Sequence, residues 1–458
     1  MKLNYKRTML VGFAFFLISA FWQAYDAIIP LALTNHFGLP QTASGVIMSL
    51  DNVLAVFLLP LFGAISDKVD TKYGRRTPFI VLGTVAAIAS FICLTFIDNY
   101  QLARLAQGGI SGAENASELA LEATLSNPWP LIGFIGLLLV VLLSMATFRS
   151  PAVALMPDVT VKPLRSKANA VINLMGTAGG IIVLALGIIF KTSTNHFMKF
   201  TGYVCAVCAV MALGLVIFII SVKEKRWVEE MESDTERLGL STPIDEASDV
   251  AKRSLSRPEL ISLLLILASV ALWYVGYNSI TSKYSVYAMN ILGFDYNLTL
   301  IIAQAAAVVT YIPVGIIASK IGRKKTILVG IVVLASAFFI GNFITPSTPE
   351  ALMYPIFVLA GIGWATINVN SFPMVVELAR GGDVGKYTGY YYTASMAAQI
   401  VAPILSGALY DLVGMRIMFF LFGTVFVAAS FATMFFVKHG DSLPERQGVL
   451  ESLGGADD

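Results

Sequence analysis

Twelve apolar runs, each near the length a helix needs to cross a bilayer, constrain this chain more than any other feature. A helix rises about 1.5 Å per residue, so ~20 apolar residues cover the ~30 Å hydrocarbon layer. Such runs fall near 9–33, 44–66, 78–97, 131–157, 168–190 and 200–222, then near 259–283, 297–319, 326–345, 351–376, 386–411 and 415–437. A soluble chain of this length would divide into domains with roughly a quarter of its residues charged. Here 57% are hydrophobic, 13% are charged and the mean hydropathy is +0.76. The expected fold is an all-α membrane protein with twelve transmembrane helices. The first run lacks a small-residue cleavage site and is too long for a signal peptide, so it counts as span 1.

Lys and Arg set the orientation. Of 31 such residues, Arg104, Lys191, Lys199 and Arg416 lie in one set of loops, and Arg149 and Lys283 lie within or at the edge of spans. All the others lie at the termini or in the loops after even-numbered spans. The positive-inside rule then puts both termini in the cytoplasm. Residues 223–258 are charged and midway along the chain, as a cytoplasmic linker would be. The expected divisions are a first six-span half (1–222), that linker, a second half (259–437) and a cytoplasmic tail (438–458). Residues 98–130 read as an external loop carrying Glu114, Glu118 and Glu122, with a short surface helix between Asn115 and Ser126. Lys283 reads as the outer end of span 7. The formal charge of +2 gives no reason to expect a nucleic-acid partner.

The halves echo each other. After span 2 comes Gly63-x-x-x-Asp67-Lys68, then Gly74-Arg75-Arg76. After span 8 comes Gly315-x-x-x-Ser319-Lys320, then Gly322-Arg323-Lys324-Lys325. Spans 4 and 10 end at Asp158 and Glu377, each followed by a short basic loop. A parallel repeat of two six-helix units, with cargo bound between them at mid-membrane, is one way transporters are built. Gly63 allows a close helix approach, and Arg75 and Arg76 can pair with carboxylates such as Asp158. Such a cytoplasmic latch can break when the halves rock. Basic loops also mark topology alone, but their appearance in both halves favours a latch.

This pattern resembles the major facilitator superfamily. Leu59-Pro60-Leu61-Phe62-Gly63-Ala64-Ile65-Ser66-Asp67-Lys68, Tyr73-Gly74-Arg75-Arg76-Thr77-Pro78-Phe79-Ile80, Ala154-Leu155-Met156-Pro157-Asp158 and Arg165-x-Lys167-Ala168-Asn169-Ala170 resemble the sucrose-transporter branch. That branch lies within the wider glycoside–pentoside–hexuronide:cation symporters. The resemblance implies proton-coupled uptake of a glucoside or disaccharide by a multi-pass protein of the plasma membrane, working as a monomer and without a cofactor. The chain also departs from these relatives. Plant sucrose transporters carry the span 4 arginine where this chain has Val153, and an acidic residue in outer span 4 that is missing here. Melibiose-type relatives carry paired aspartates where this chain has Ala55 and Leu59.

A charge at mid-membrane costs ~2.5–3.5 kcal/mol on insertion scales, so each is a candidate functional group. Asp26 (span 1) and Asp51 (span 2) both fall in the outer halves of their spans and could share one cavity. A carboxyl group in a low-dielectric site binds its proton more tightly, which suits loading and release near neutral pH. Both are candidate proton carriers. Helix packing or a sodium ligand are the alternatives. Arg149 lies nine residues before Asp158, or ~13 Å along a helix. That places it in the inner half of span 4, across the midplane from Asp26, and argues against a direct pair. Donating its planar fork to sugar hydroxyls is the other reading.

Sugars need aromatic faces for their C–H surface and amides for their hydroxyls. The candidates are Trp22, Gln23, Asn52 and Asn173 in the first half, and Trp273, Tyr277, Asn278, Gln304, Trp364, Asn368 and Gln399 in the second. Trp273 and Tyr277 share a helix face, as do Trp364 and Asn368. Gly381-Gly382-Asp383-Val384-Gly385-Lys386-Tyr387 falls short of a Walker A loop, because Tyr387 stands where Ser or Thr would bind magnesium. Cys205 and Cys208 have no second cysteine pair or histidine nearby, and His36, His196 and His439 are scattered, so no metal site is expected. Nothing in the chain reads as a nucleophile–base constellation, so no enzyme is expected. The remaining alternatives are sodium-coupled sugar symport and export or antiport of another small molecule.

Overall fold

The computed structural model describes residues 3–110, 113, 115–237, 256–378 and 384–440. Glu114, linker residues 238–255, Gly381 to Asp383 of the Walker-like loop and tail residues 441–458 lie outside the described residues. Among the described residues there is no strand and there are fifteen α-helices. They are α1 (Tyr5–Leu31), α2 (Gln41–Lys68), α3 (Thr77–Gln107), α4 (Ala116–Ser126), α5 (Trp129–Asp158), α6 (Arg165–Ile189), α7 (Thr201–Ser221), α8 (Glu224–Arg237), α9 (Arg257–Thr281), α10 (Tyr284–Val286), α11 (Tyr296–Ile321), α12 (Arg323–Gly341), α13 (Met353–Val376), α14 (Val384–Val413) and α15 (Met415–Phe435). Twelve are long and apolar enough to cross a membrane, namely all except α4, α8 and α10. Helices form there because hydrocarbon offers no partner for backbone N–H and C=O groups, which a helix pairs internally.

The packing repeats along with the sequence. In the first half α1 packs on α6 and α7, α3 on α5 and α7, and α2 on α5. In the second half α9 packs on α14 and α15, α12 on α13 and α15, and α11 on α13. Replacing each of the first six spans by its counterpart six spans later turns one pattern into the other. The two six-helix bundles meet along two seams that the same exchange interconverts, α2 against α14 and α6 against α11. A further echo is absent from the motifs. The ends of the first and seventh spans both lead into π-helical turns, Ala32–His36 and Tyr287–Leu292. Asn35 and Asn290 on those turns exchange side-chain hydrogen bonds of 3.3 and 2.6 Å across the bundles.

Three sequence expectations change. Span 3 continues to Gln107 rather than ending near residue 97, so residues 98–107 of the expected external loop are helix. A hydropathy reading stops at the first polar residues, but here those residues have buried partners. Asp98 Oδ1 lies 2.6 Å from His36 Nδ1, and Gln101 Nε2 donates to His36 O and Thr124 Oγ1, both at 3.1 Å. The surface helix expected between Asn115 and Ser126 is present as α4. Lys283 is fully buried rather than an exposed helix end. Finally, the linker begins with a docked helix, α8. Arg7 lies 4.7 Å from the Trp227 ring and 3.1 Å from Glu230, and Lys225 lies 3.7 Å from Asp70.

Candidate functional site

A cavity of about 190 Å³ lies between the bundles. The first bundle contributes Trp22 and Asp26 from α1, Met48, Asp51 and Asn52 from α2, and Arg149 from α5. The second contributes Asn278 and Thr281 from α9, Ser282 just beyond it, and Gln399 and Pro403 from α14. Arg149 therefore faces the same cavity as Asp26 and Asp51, which corrects the expectation that the midplane separates them. Counting Cα positions along the axis leaves out the lean of the side chains. Each Cα–Cβ bond tilts toward its own helix N-terminus, so side chains on antiparallel α1 and α5 lean toward each other.

Among the described residues no ion pair within 4.0 Å is made by Arg149. Its guanidinium carbon lies 5.7 Å from the centre of the Trp22 ring, within cation–π range. Asp51 Oδ1 accepts from the Asn52 backbone N–H at 2.5 Å and from Asn52 Nδ2 at 2.7 Å, which orients that carboxylate. Trp22 is held edge-on against Phe21 and Tyr25, with centroids 5.4 and 5.2 Å away. Its indole Nε1 is buried without a hydrogen-bond partner among the described residues, as is the Tyr25 hydroxyl. A buried donor left open beside a polar cavity is suited to a cargo oxygen.

The remaining candidates divide. Asn278 and Gln399 line the cavity, while Asn278 Nδ2 also donates to Tyr274 O at 2.8 Å. Gln23 pairs with Gln304 at 2.5 Å across the bundles, beside Gly180 of α6 and outside the cavity lining. Asn173 is buried on α6 with its Nδ2 unpartnered among the described residues, and Asn368 is buried on α13. Tyr277 and Trp364 stack on each other, with centroids 3.7 Å apart and planes 7° apart, so each covers a face of the other. Trp273 lies wholly inside the core of the second bundle, away from the cavity. Sharing a helix face with Tyr277 in the sequence did not decide which side of α9 met the cavity. Met48, Thr281, Ser282 and Pro403 carried no signal of their own, because small polar and apolar residues of this kind occur throughout such spans.

The two basic motifs sit at one end of the molecule, the latch end. Arg76 Nε donates to Asp158 Oδ2 at 2.8 Å, and the same guanidinium pairs with Asp67 and donates to Ser66 Oγ at 2.5 Å. Arg75 reaches Asp158 Oδ1 at 3.1 Å. Burial alone would lower the basicity of Arg76, but Asp158 and Asp67 together hold it above its ordinary value. In the second bundle Arg323 pairs with Glu377 at 2.8 Å. That half carries Ser319 where the first has Asp67, so its arginine has one fewer acid. A Cβ on Gly63 would meet Ser150 Oγ of α5 at 2.9 Å, while Gly315 sits half-buried on α11.

Sequence reasoning missed Glu224, the first residue of α8. Its Oε1 accepts from the backbone N–H groups of Arg75 and Arg76, both at 2.8 Å. Its Oε2 accepts from the N–H and the hydroxyl of Thr77, both at 2.7 Å. One buried carboxylate thus caps the N-terminus of α3 and shapes the loop that presents Arg75 and Arg76. Gly74, at φ +112°, is required there, since a Cβ would lie 2.3 Å from the Glu224 carboxyl carbon. No motif pointed to Glu224, because it is one of several acids in a charged linker.

A sequence profile for the Major Facilitator Superfamily matches residues 11–379 and, in a second match, 295–453. The chain belongs to the major facilitator superfamily. Among characterised proteins it is similar to sucrose transport protein SUC3 of Arabidopsis thaliana, 26% identical over 40% of this chain and 29% of that protein. It is also similar to the isoprimeverose transporter of Lactiplantibacillus pentosus, 21% identical over 77% of this chain and 67% of that one. The sucrose transport proteins are thus matched over less than a third of their length. Among solved structures, the inward-open xylose transporter XylE of E. coli superposes with a TM-score of 0.67 at 14% identity, covering 98% of this chain and 99% of that one. At that identity the likeness concerns the fold. This superfamily member is a multi-pass membrane protein of transporter architecture.

Proposed function

We propose that the chain is a secondary active transporter that couples uptake of a sugar of the glucoside or disaccharide class to protons by alternating access. The observation that carries the reading is the cavity between the bundles. It joins two carboxylates, Asp26 and Asp51, to an arginine that makes no ion pair within 4.0 Å among the described residues, an indole with an open N–H, and the amides Asn52, Asn278 and Gln399. Carboxylates inside a membrane protein can carry protons, and the arginine, indole and amides match the oxygens of a polyhydroxylated cargo. The sucrose and isoprimeverose transport proteins named above agree with that cargo class. In this reading both termini are cytoplasmic, the latch end faces the cytoplasm, and a monomer works in the plasma membrane.

The test is uptake of labelled sucrose, maltose, melibiose and isoprimeverose into proteoliposomes under an inward proton gradient or an inward sodium gradient. Proton-driven accumulation that is lost in Asp26→Asn or Asp51→Asn supports the proposal and assigns the carrier. Sodium-driven accumulation replaces the proton with sodium. Absence of accumulation under both gradients removes the sugar.

A further inference from the structure

At the end of the molecule away from the latch, polar groups that do not line the cavity join the bundles. Asp411, near the end of α14, crosses the seam to the first turn of α2. Its Oδ1 accepts from Gln41 N at 2.8 Å, and its Oδ2 accepts from Thr42 N at 2.7 Å and Thr42 Oγ1 at 2.6 Å. A carboxylate there satisfies donors that a helix start leaves open and sits at the favourable end of the helix dipole. Gln41 O in turn accepts from Lys283 Nζ at 3.2 Å. Lys283 has no exposed surface, and among the described residues this is the one hydrogen bond of an ammonium that has three donors.

The seam above that ammonium is closely packed. A Cβ on Gly45 would lie 2.1 Å from Pro403 O, and one on Gly407 would lie 2.4 Å from Gln41 O. The two charged residues therefore stand in different positions. Asp411 is exposed and has three donors from α2. Lys283 is withdrawn from the surface with one neutral acceptor and the nearby Asp411 charge to compensate it. A dehydrated ion with incomplete compensation opposes the state that buries it.

We propose that Asp411 and Lys283 are opposed gating residues: Asp411 fastens α2 to α14, and the buried Lys283 ammonium drives the closed seam toward reopening. The inference rests on the transporter reading, in which this end must open and close in each cycle.

The test measures closure without any cargo. In full-length protein with Cys93, Cys205 and Cys208 replaced by serine, Asn35→Cys and Asn290→Cys place thiols on the two facing turns. The initial rate of their linkage by a short bis-thiosulfonate reagent in proteoliposomes reports the closed fraction. Asp411→Asn should slow linkage about fivefold or more, and Lys283→Met should speed it, since a change in closed population of that size needs only a modest bias between two states. Thr42→Val, which removes one hydrogen bond and no charge, should slow linkage less than Asp411→Asn. If Asp411→Asn does not yield monodisperse protein, Thr42→Val carries the first arm alone. Slowing by Lys283→Met would make the lysine a fastener, and an unchanged rate in Asp411→Asn or Thr42→Val would remove the gate; either result overturns the proposal. Opposite shifts accompanied by failed sugar uptake would leave the gate standing and remove only the sugar.

Discussion

Replacing Glu224 by alanine should expose the start of α3, and hydrogen exchange can measure the effect amide by amide. The carboxylate accepts four hydrogen bonds, three of them from the consecutive backbone amides of Arg75, Arg76 and Thr77. A buried donor left open costs about 1–3 kcal/mol. The site lies at a helix end, where water can enter once the side chain is gone, so the lower figure applies to each amide. Each of the three amides then loses ~1 kcal/mol of protection, or about fivefold in exchange rate. Glu224→Gln keeps one accepting oxygen, so only the amides that face its nitrogen should show that loss. Exchange should be followed by mass spectrometry on peptides covering residues 68–80. Equal protection in Glu224→Ala and the unaltered protein would refute the capping argument. Uniform acceleration across all helices would show that the effect is global and not a local cap.

At the latch end, Arg76→Lys should cost more thermal stability than Arg323→Lys, about 2–3 against about 1 kcal/mol in a melting assay, because the first guanidinium serves two acids and the second serves one. Equal losses would contradict that asymmetry. Gly45→Ala places a methyl group 2.1 Å from Pro403 O, so transport turnover should collapse while each bundle stays folded; normal turnover would mean that the α2–α14 seam never closes this tightly. Trp22→Phe keeps the ring beside Arg149 and removes the open indole donor. It should raise the KM for cargo about fivefold with little change in kcat, the size of one hydrogen bond of about 1 kcal/mol; an unchanged KM would place the cargo elsewhere.

The apolar runs alone determined that this chain crosses a membrane about twelve times. Hydrocarbon permits a lone segment only one way of pairing its backbone, so length and hydropathy suffice to place a helix. The repeated Gly63/Asp67/Arg76 and Gly315/Arg323 motifs likewise foretold two matching bundles, because a motif local in sequence stays local in space. What hydropathy could not carry was rotation and depth. Which face of α9 meets the cavity, and so whether Trp273 or Asn278 reaches it, depends on how α14 and α15 pack against that helix. Arg149 shares a cavity with Asp26 because side chains on antiparallel α1 and α5 lean toward one another, which a count along one axis cannot register. Span 3 outran its apolar run because Asp98 and Gln101 found partners more than 20 residues away in sequence. Glu224 and Lys283 carry the same lesson. Glu224 is an unremarkable charge in the sequence and Lys283 reads there as a helix end, and each meets backbone that folding brings to it from another part of the chain.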